Sequence, residues 1–285
     1  MSLPHDRADL VAEEKLFGGD GVRSGQTIGA FVGDPGPGAE LAGLLCQAGR
    51  WIKLLCVAPA YRRQGLGTLL VDRARAWARP LRIFDHPGNY LSPGLDVRYE
   101  EGHAFLRARG FRPVGRIENL RAPLLDNPLV TPARAKWLIE AAARRGYTVR
   151  RVDSSNDAEV QAVLDLVGTH FSPVWALEVA RALGRQGGLE LPEGPGVHAA
   201  FVRNGEPVAF AAHDGNNRGL GWFGPMGTHI QHRGQGLGEV LLLACLLDVV
   251  SRPEGGVIAW VGPVDFYRRA CGAAVDRQFV VYEEG

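Results

Sequence analysis

The sequence predicts an α/β (α+β) protein in which one supersecondary module is used twice. Two observations carry the prediction. Arg62-Arg63-Gln64-Gly65-Leu66-Gly67 returns as Arg233-Gly234-Gln235-Gly236-Leu237-Gly238, 171 positions on (233 − 62). Around each copy runs the same order of strand, glycine loop, helix, short strand, helix ending at a glycine, and closing strand. The 285-residue length agrees with it, since domains of roughly 150 residues are the prior.

In the first copy, residues 7–16 have helical spacing, and Gly-rich turns run through 33–38. An apolar strand at 51–57 leads into the glycine loop. The helix at 68–79 is stopped by Pro80, because proline has no N–H to continue it. A short strand (81–85), a helix (103–109) ended by Gly110, and a strand (111–120) close the copy. A linker at 126–132 and a helix at 133–145 follow, with the boundary near Gly146. The second copy has a fuller leader: a strand at 147–152, helices at 158–167 and 175–183, then a hairpin of 198–202 and 207–213. Asn204-Gly205 is a strong turn signal there, since both residues tolerate positive φ. The strand at 221–228 carries Gly224-Pro225, which reads as a bulge. The helix at 239–251, the strand at 257–261, the helix at 265–271 before Gly272, and the strand at 275–282 complete the order. The expected domains are 1–125 and 147–285, joined by 126–146.

Lys+Arg (32) and Asp+Glu (31) leave a formal charge of +1, so no whole-molecule field favours nucleic acid or an anionic membrane. The longest apolar run, 240–250, contains Asp248 and is far below the roughly 20 residues of a membrane span. Residues 1–6 lack a basic stretch followed by an apolar one, so no secretory signal is expected. Cys46, Cys56, Cys245 and Cys271 form no C-x-x-C pair and read as small core residues of a reducing compartment ahead of disulfides or metal ligands. The expectation is a soluble, cytoplasmic protein without nucleic-acid or membrane partners.

The glycine loops point to phosphate. Residues without Cβ let the backbone approach a pyrophosphate at a helix N-terminus, and an arginine adds a charge-assisted fork. A dinucleotide fingerprint would need a further glycine where Leu70 and Leu241 stand, and a P-loop would need Gly-Lys-Ser/Thr; both are missing. The first copy, Val57-Ala58-Pro59-Ala60-Tyr61-Arg62-Arg63-Gln64-Gly65-Leu66-Gly67, resembles motif A (V-x-P-x-Y-R-x-x-G-x-G) of the GNAT family of acyl-CoA-dependent N-acyltransferases. The second departs upstream of the arginine, with Thr228, Ile230 and His232 in place of Val, Pro and Tyr.

The resemblance implies two GNAT-like domains, each a mixed, mostly antiparallel sheet flanked by helices. It also implies acetyl-CoA as cosubstrate and no metal. The cofactor would be held by Leu55, Val57, Arg62, Arg63, Gln64, Gly65, Leu66 and Gly67 in the first copy. Met226, Thr228, Arg233, Gly234, Gln235, Gly236, Leu237 and Gly238 would hold it in the second. Tyr267, in a helix before Gly272, is the expected general acid for the leaving thiolate, with a core tyrosine as the alternative. His213, Asp214, His170 and Glu178 are candidate bases. Phe171, Trp175, Trp222 and Phe223 either wall the acceptor pocket or pack the core. His229 and His232, three apart without a third ligand, do not suggest a metal.

The expected reaction is acetyl transfer to a primary amine by direct attack. An amino sugar leads as acceptor; other small amines and peptide N-termini stay open, as does a non-catalytic acyl-CoA sensor. A monomer or homodimer is expected. Aligning Gly110 on Gly272 puts Phe105 at Tyr267, and nine more residues separate glycine loop from helix in the first copy (38 − 29), around 87–94. The first copy is therefore expected to be the non-catalytic one.

Overall fold

A computed structural model describes residues 8–17, 25–33, 36, 38–185 and 196–285. The expected turn residues 34, 35 and 37 lie outside that set. The chain divides into two compact units, residues 1–118 with 277–285, and residues 119–276.

In the first unit, helix α1 (Ala8–Phe17) precedes a hairpin of β1 (Gln26–Val32) and β2 (Glu40–Ala48). The glycine-rich reading of 33–38 anticipated neither strand. Six of the nine residues of β2 are fully buried, so no in–out alternation marks it as a strand. Strand β3 (Trp51–Val57) pairs antiparallel with β2 and parallel with the two-residue β4 (Arg82–Ile83). Helix α2 (Leu66–Trp77) buries Leu70, Val71 and Ala74 against Leu45, Ile52 and Ile83. A second two-residue strand, β5 (Leu95–Asp96), leads to helix α3 (Glu100–Ala108) and strand β6 (Phe111–Arg121).

The second unit begins at Asn119. Helix α4 (Pro132–Arg144), capped by the Thr131 hydroxyl on the Arg134 amide, was expected as part of a linker but packs Ala135, Leu138 and Ala142 into this unit's core. Strands β7 (Thr148–Arg151), β8 (Val197–Phe201), β9 (Pro207–His213) and β10 (Phe223–Thr228) form an antiparallel run. Helix α7 (Leu237–Asp248) lies on one face of it. Helices α5 (Asp157–His170) and α6 (Pro173–Ala182), capped by Asn156 and Ser172, bury Val163, Val167 and Val179 against Phe210 and Ala212 on the other. With α4 covering its outer side, α7 is apolar nearly all round and buries seven of its twelve residues. Strand β11 (Val257–Ile258), helix α8 (Val264–Cys271) and strand β12 (Ala274–Glu284) finish the chain.

The closing strands depart from chain order. Residues 277–284 of β12, expected with the second copy, belong to the first unit: Tyr282 pairs with Ile83, and Phe279 with Asp96. The end of β6, expected with the first copy, gives Leu120 and Arg121 to β11 in the second unit. The unit boundaries therefore differ from the expected 1–125 and 147–285. A strand's alternation records that it is half-buried, not which sheet it enters. All four cysteines are free, and three are buried, but Cys56 is exposed rather than in the core.

Candidate functional site

The site in the second unit is made by a strand that leaves its neighbour. Strand β10 pairs with β9 through Phe223↔His213 and then Met226↔Ala211, so one extra residue bulges out at Gly224-Pro225, as the sequence suggests. With β11 it pairs only at Phe223↔Ile258. Beyond Ile258, Trp260 takes a left-handed φ of 52° and donates its N–H to the Asn119 side chain. The stretch from Gly224 to Thr228, holding the expected Met226 and Thr228, thus forms one wall of an open wedge.

At the end of this wall the chain makes a short 3₁₀ turn, Ile230–His232, and the Arg233 Nε donates back to the Thr228 carbonyl at 3.3 Å. Gly234 and Gly236 have φ of 77° and 74°, a region in which an L side chain is strained. Gly236 is the N-cap of α7 and offers no side-chain cap. The first helical bond runs from the Val240 amide to the Gly236 carbonyl, so the amides of Leu237, Gly238 and Glu239 are the unladdered donors of the helix end. A cavity of about 270 Å³ opens there, lined by Thr228, His232, Arg233, Gly234, Gly236, Leu237, Gly238, Glu239 and Phe266. A Cβ on Gly238 would come within 3.1 Å of Met226 and 3.6 Å of Phe266. Of the residues expected here, Gln235 alone belongs neither to the wedge wall nor to the cavity lining.

Tyr267 lies one residue beyond the lining. It is 7% exposed, with its ring edge-on to Phe223 and Phe266. Its hydroxyl makes no hydrogen bond among the described residues, and burial pushes its pKa well above the ordinary phenol value. Phe171 lies against the outer side of β10, where a Cβ on Gly227 would meet its ring at 2.4 Å. It stacks on the part-exposed Trp175, with centroids 6.2 Å apart and planes 20° from parallel, and His170 is edge-on to His229 at 4.5 Å. Phe223 packs in the α7-side core, and Trp222 and Glu178 are buried. Among the described residues no group of three or more His, Cys, Asp or Glu could hold a metal ion.

His213 and Asp214 belong to a buried cluster at the far end of α7. His213 bonds Asp214 at 2.9 Å through Nδ1 and Asp248 at 3.3 Å through Nε2; Asp248 also takes His198 and Arg151. Asp214 accepts the amides of Gly219 and Gly221. These contacts hold a turn and a helix end together, and neither residue lines the cavity.

The first unit repeats the wedge. Strand β3 has a bulge opposite Cys46/Gln47 and pairs with β4 only at Trp51 and Ile52, which leaves Leu55 and Val57 on the free stretch. Phe84 just after β4 has φ 67°, and the Arg62 Nε donates to the Val57 carbonyl at 3.1 Å. Gly65 (φ 85°) is the uncapped N-cap of α2, with Leu66 and Gly67 in its first turn, while Arg63 (φ 63°) and Gln64 complete the loop. Two features differ from the second unit. Arg62 has an acid, Glu101, at 3.6 Å. The other is the absent phenol: a Cβ on Gly67 would lie 3.3 Å from the Phe105 ring, as one on Gly238 would lie 3.6 Å from the Phe266 ring. The structural counterpart of Phe105 is thus Phe266 rather than Tyr267, because Tyr267 is followed by one more residue before its glycine than is Leu106. Buried Leu106 occupies Tyr267's place, and the phenol is still missing from the first copy.

The chain is similar to known proteins. Residues 10–113 match the acetyltransferase (GNAT) domain. Over this stretch the chain is similar to the GNAT acetyltransferases. Across both units the fold is similar to solved GNAT structures. One is the glucosamine N-acetyltransferase region of a fungal multi-domain GH3 β-N-acetylglucosaminidase, with TM-score 0.68 and 17% identity over 98% of this chain. This chain spans only 34% of that protein. A tandem GNAT protein from the clavulanic acid biosynthesis pathway, solved without AcCoA, gives TM-score 0.58 and 18% identity, covering 92% of this chain and 84% of that one. A GCN5-related N-acetyltransferase from Kribbella flavida gives TM-score 0.58 and 17% identity, covering 100% and 96%. No curated protein matches the sequence. No helix among the described residues is long and apolar enough to cross a membrane.

Proposed function

We propose that the second unit binds acetyl-CoA in the β10 wedge and transfers its acetyl group to a primary amine in a ternary complex. The observation that carries this reading is the coincidence of the splayed strand, the glycine loop and the uncapped start of α7 around one cavity. The free edge of β10 would pair with the pantetheine arm, and the unladdered amides and Arg233 would take the pyrophosphate. A neutral amine nitrogen attacks the thioester carbon. A backbone amide of the wedge stabilises the oxyanion. The intermediate collapses with loss of the C–S bond, the nitrogen gives up a proton to solvent or a base, and Tyr267 protonates the departing thiolate. Its unpaired, burial-raised hydroxyl is chemically suited to stay protonated until that moment.

An amino sugar is the acceptor class to test first. The stacked Phe171 and part-exposed Trp175 form a platform suited to a sugar ring, and one structural neighbour is a glucosamine N-acetyltransferase region. One observation favours a non-catalytic acyl-CoA sensor instead: Phe266, not Tyr267, lines the cavity. Thiol release from acetyl-CoA across a panel of amino sugars, small amines and peptides decides between them. Acceptor-dependent release is expected, and cofactor binding without release for any amine would favour the sensor.

A further inference from the structure

The cation that no local motif announces at this site is Arg145. It follows helix α4 directly and is held there by its own N–H, which bonds the Ala142 and Ala143 carbonyls. Gly146 (φ 90°) then turns the chain, and the Tyr147 amide closes on the Ala142 carbonyl at 3.1 Å. The turn is tied to the glycine loop by the Tyr147 hydroxyl and His232 Nδ1 at 3.0 Å. This places the Arg145 guanidinium against the start of α7: a Cβ on Gly236 would lie 3.4 Å from its Nη2. Arg145 is exposed and has no ion-pair partner among the described residues.

The one acid lining the cavity, Glu239, is ion-paired to Arg134, which also donates to the Ala270 carbonyl. With that charge neutralised, Arg233 and Arg145 leave the mouth of the cavity cationic. The first unit's loop has an acid, Glu101, beside its arginine instead. We propose that Arg145 is a phosphate ligand of the second site, a second guanidinium fork supplied by α4 to a phosphate of the acyl-CoA. This rests on the acyl-CoA reading of the cavity. The shared chemistry is a phosphate anion at the α7 N-terminus, and either the pyrophosphate or the 3′-phosphate of the nucleotide can supply it.

Calorimetry with acetyl-CoA and with acetyl-dephospho-CoA, which lacks the 3′-phosphate, tests the proposal on wild type, Arg145→Gln and Arg144→Gln. Arg145→Gln is expected to weaken acetyl-CoA binding tenfold or more, and Arg144→Gln to leave it within twofold. An equal loss for both nucleotides assigns Arg145 to the pyrophosphate; a loss confined to acetyl-CoA assigns it to the 3′-phosphate. Wild-type affinity in Arg145→Gln overturns the proposal while leaving the cofactor reading standing. Failure of the wild type to bind acetyl-CoA overturns both. Circular dichroism melts of each variant guard against a folding defect.

Discussion

At the scale of single residues, two buried groups make opposite demands on a proton. Tyr267 is kept protonated by burial and has nothing to give its proton to among the described residues. Tyr267→Phe keeps the ring against Phe223 and Phe266 and removes only the donor. The expected result is a kcat lower on the order of 10²-fold with acetyl-CoA affinity nearly unchanged; unchanged turnover with chemistry rate-limiting would make Tyr267 a packing residue. His213 is the reverse case. Burial opposes its charge, yet carboxylates face both ring nitrogens, and both nitrogens must therefore donate; the net pKa is raised above the ordinary histidine value. A raised folded pKa contributes stability that is full below the unfolded value of about 6.5 and is lost as pH rises through the folded value. Asp248 is held low, its carboxylate overcoming burial through His198, His213 and Arg151, so its contribution is lost only in acid. Melting of the second unit should therefore fall as pH rises above about 6.5, and His213→Gln should be less stable near that pH and lack the slope. A slope unchanged in the variant would show that other groups cause it.

At the scale of elements, what the sequence made legible was chemistry confined to a few neighbouring residues. Both glycine loops, the Gly-Pro bulge of β10 and the Asn204-Gly205 hairpin were readable because each depends on local φ preferences. Strands β1 and β2 were not, since burial on both faces erases alternation. Arg145 was not, since it reaches Gly236 across 91 positions (236 − 145) through a helix that looked like a linker. The destination of β12 was hidden for the same reason: partner choice is a long-range property. That destination is testable. Tyr282 and Phe279 are fully buried in the first unit, the Tyr282 hydroxyl meets His103 Nδ1 at 2.9 Å, and Arg277 pairs with Asp96. Deleting residues 277–285 should remove hydrogen-exchange protection from β2 and β3 while β8 and β9 keep theirs. Tyr282→Ala should destabilise the first unit by about 3–5 kcal/mol. Loss of protection in β8 and β9 alone would contradict the division of strands.

At the scale of the whole chain, the question is why one module was kept twice with unequal sites. The two loops share their backbone: uncapped glycine N-caps at φ 85° and 74°, and an arginine fastened to the last carbonyl of the preceding strand. They differ in what surrounds that backbone. The second has Tyr267 behind its cavity, Phe171 and Trp175 beside β10, and Arg145 at the loop. The first has Leu106 where the phenol would be, an exposed Cys56 at the position of Gly227, and Glu101 beside Arg62. On the proposed reading, the backbone that would bind an acyl-CoA is present twice among the described residues, and the groups that would turn it over are present once. Gly65→Val and Gly236→Val separate these roles. Both force a branched side chain into a left-handed φ at a similar cost of about 1–3 kcal/mol, so strain cancels in the comparison. With one good amine acceptor, Gly65→Val should keep most of the turnover and Gly236→Val should lose it. If Gly65→Val abolishes turnover and Gly236→Val spares it, the first unit is the catalytic one.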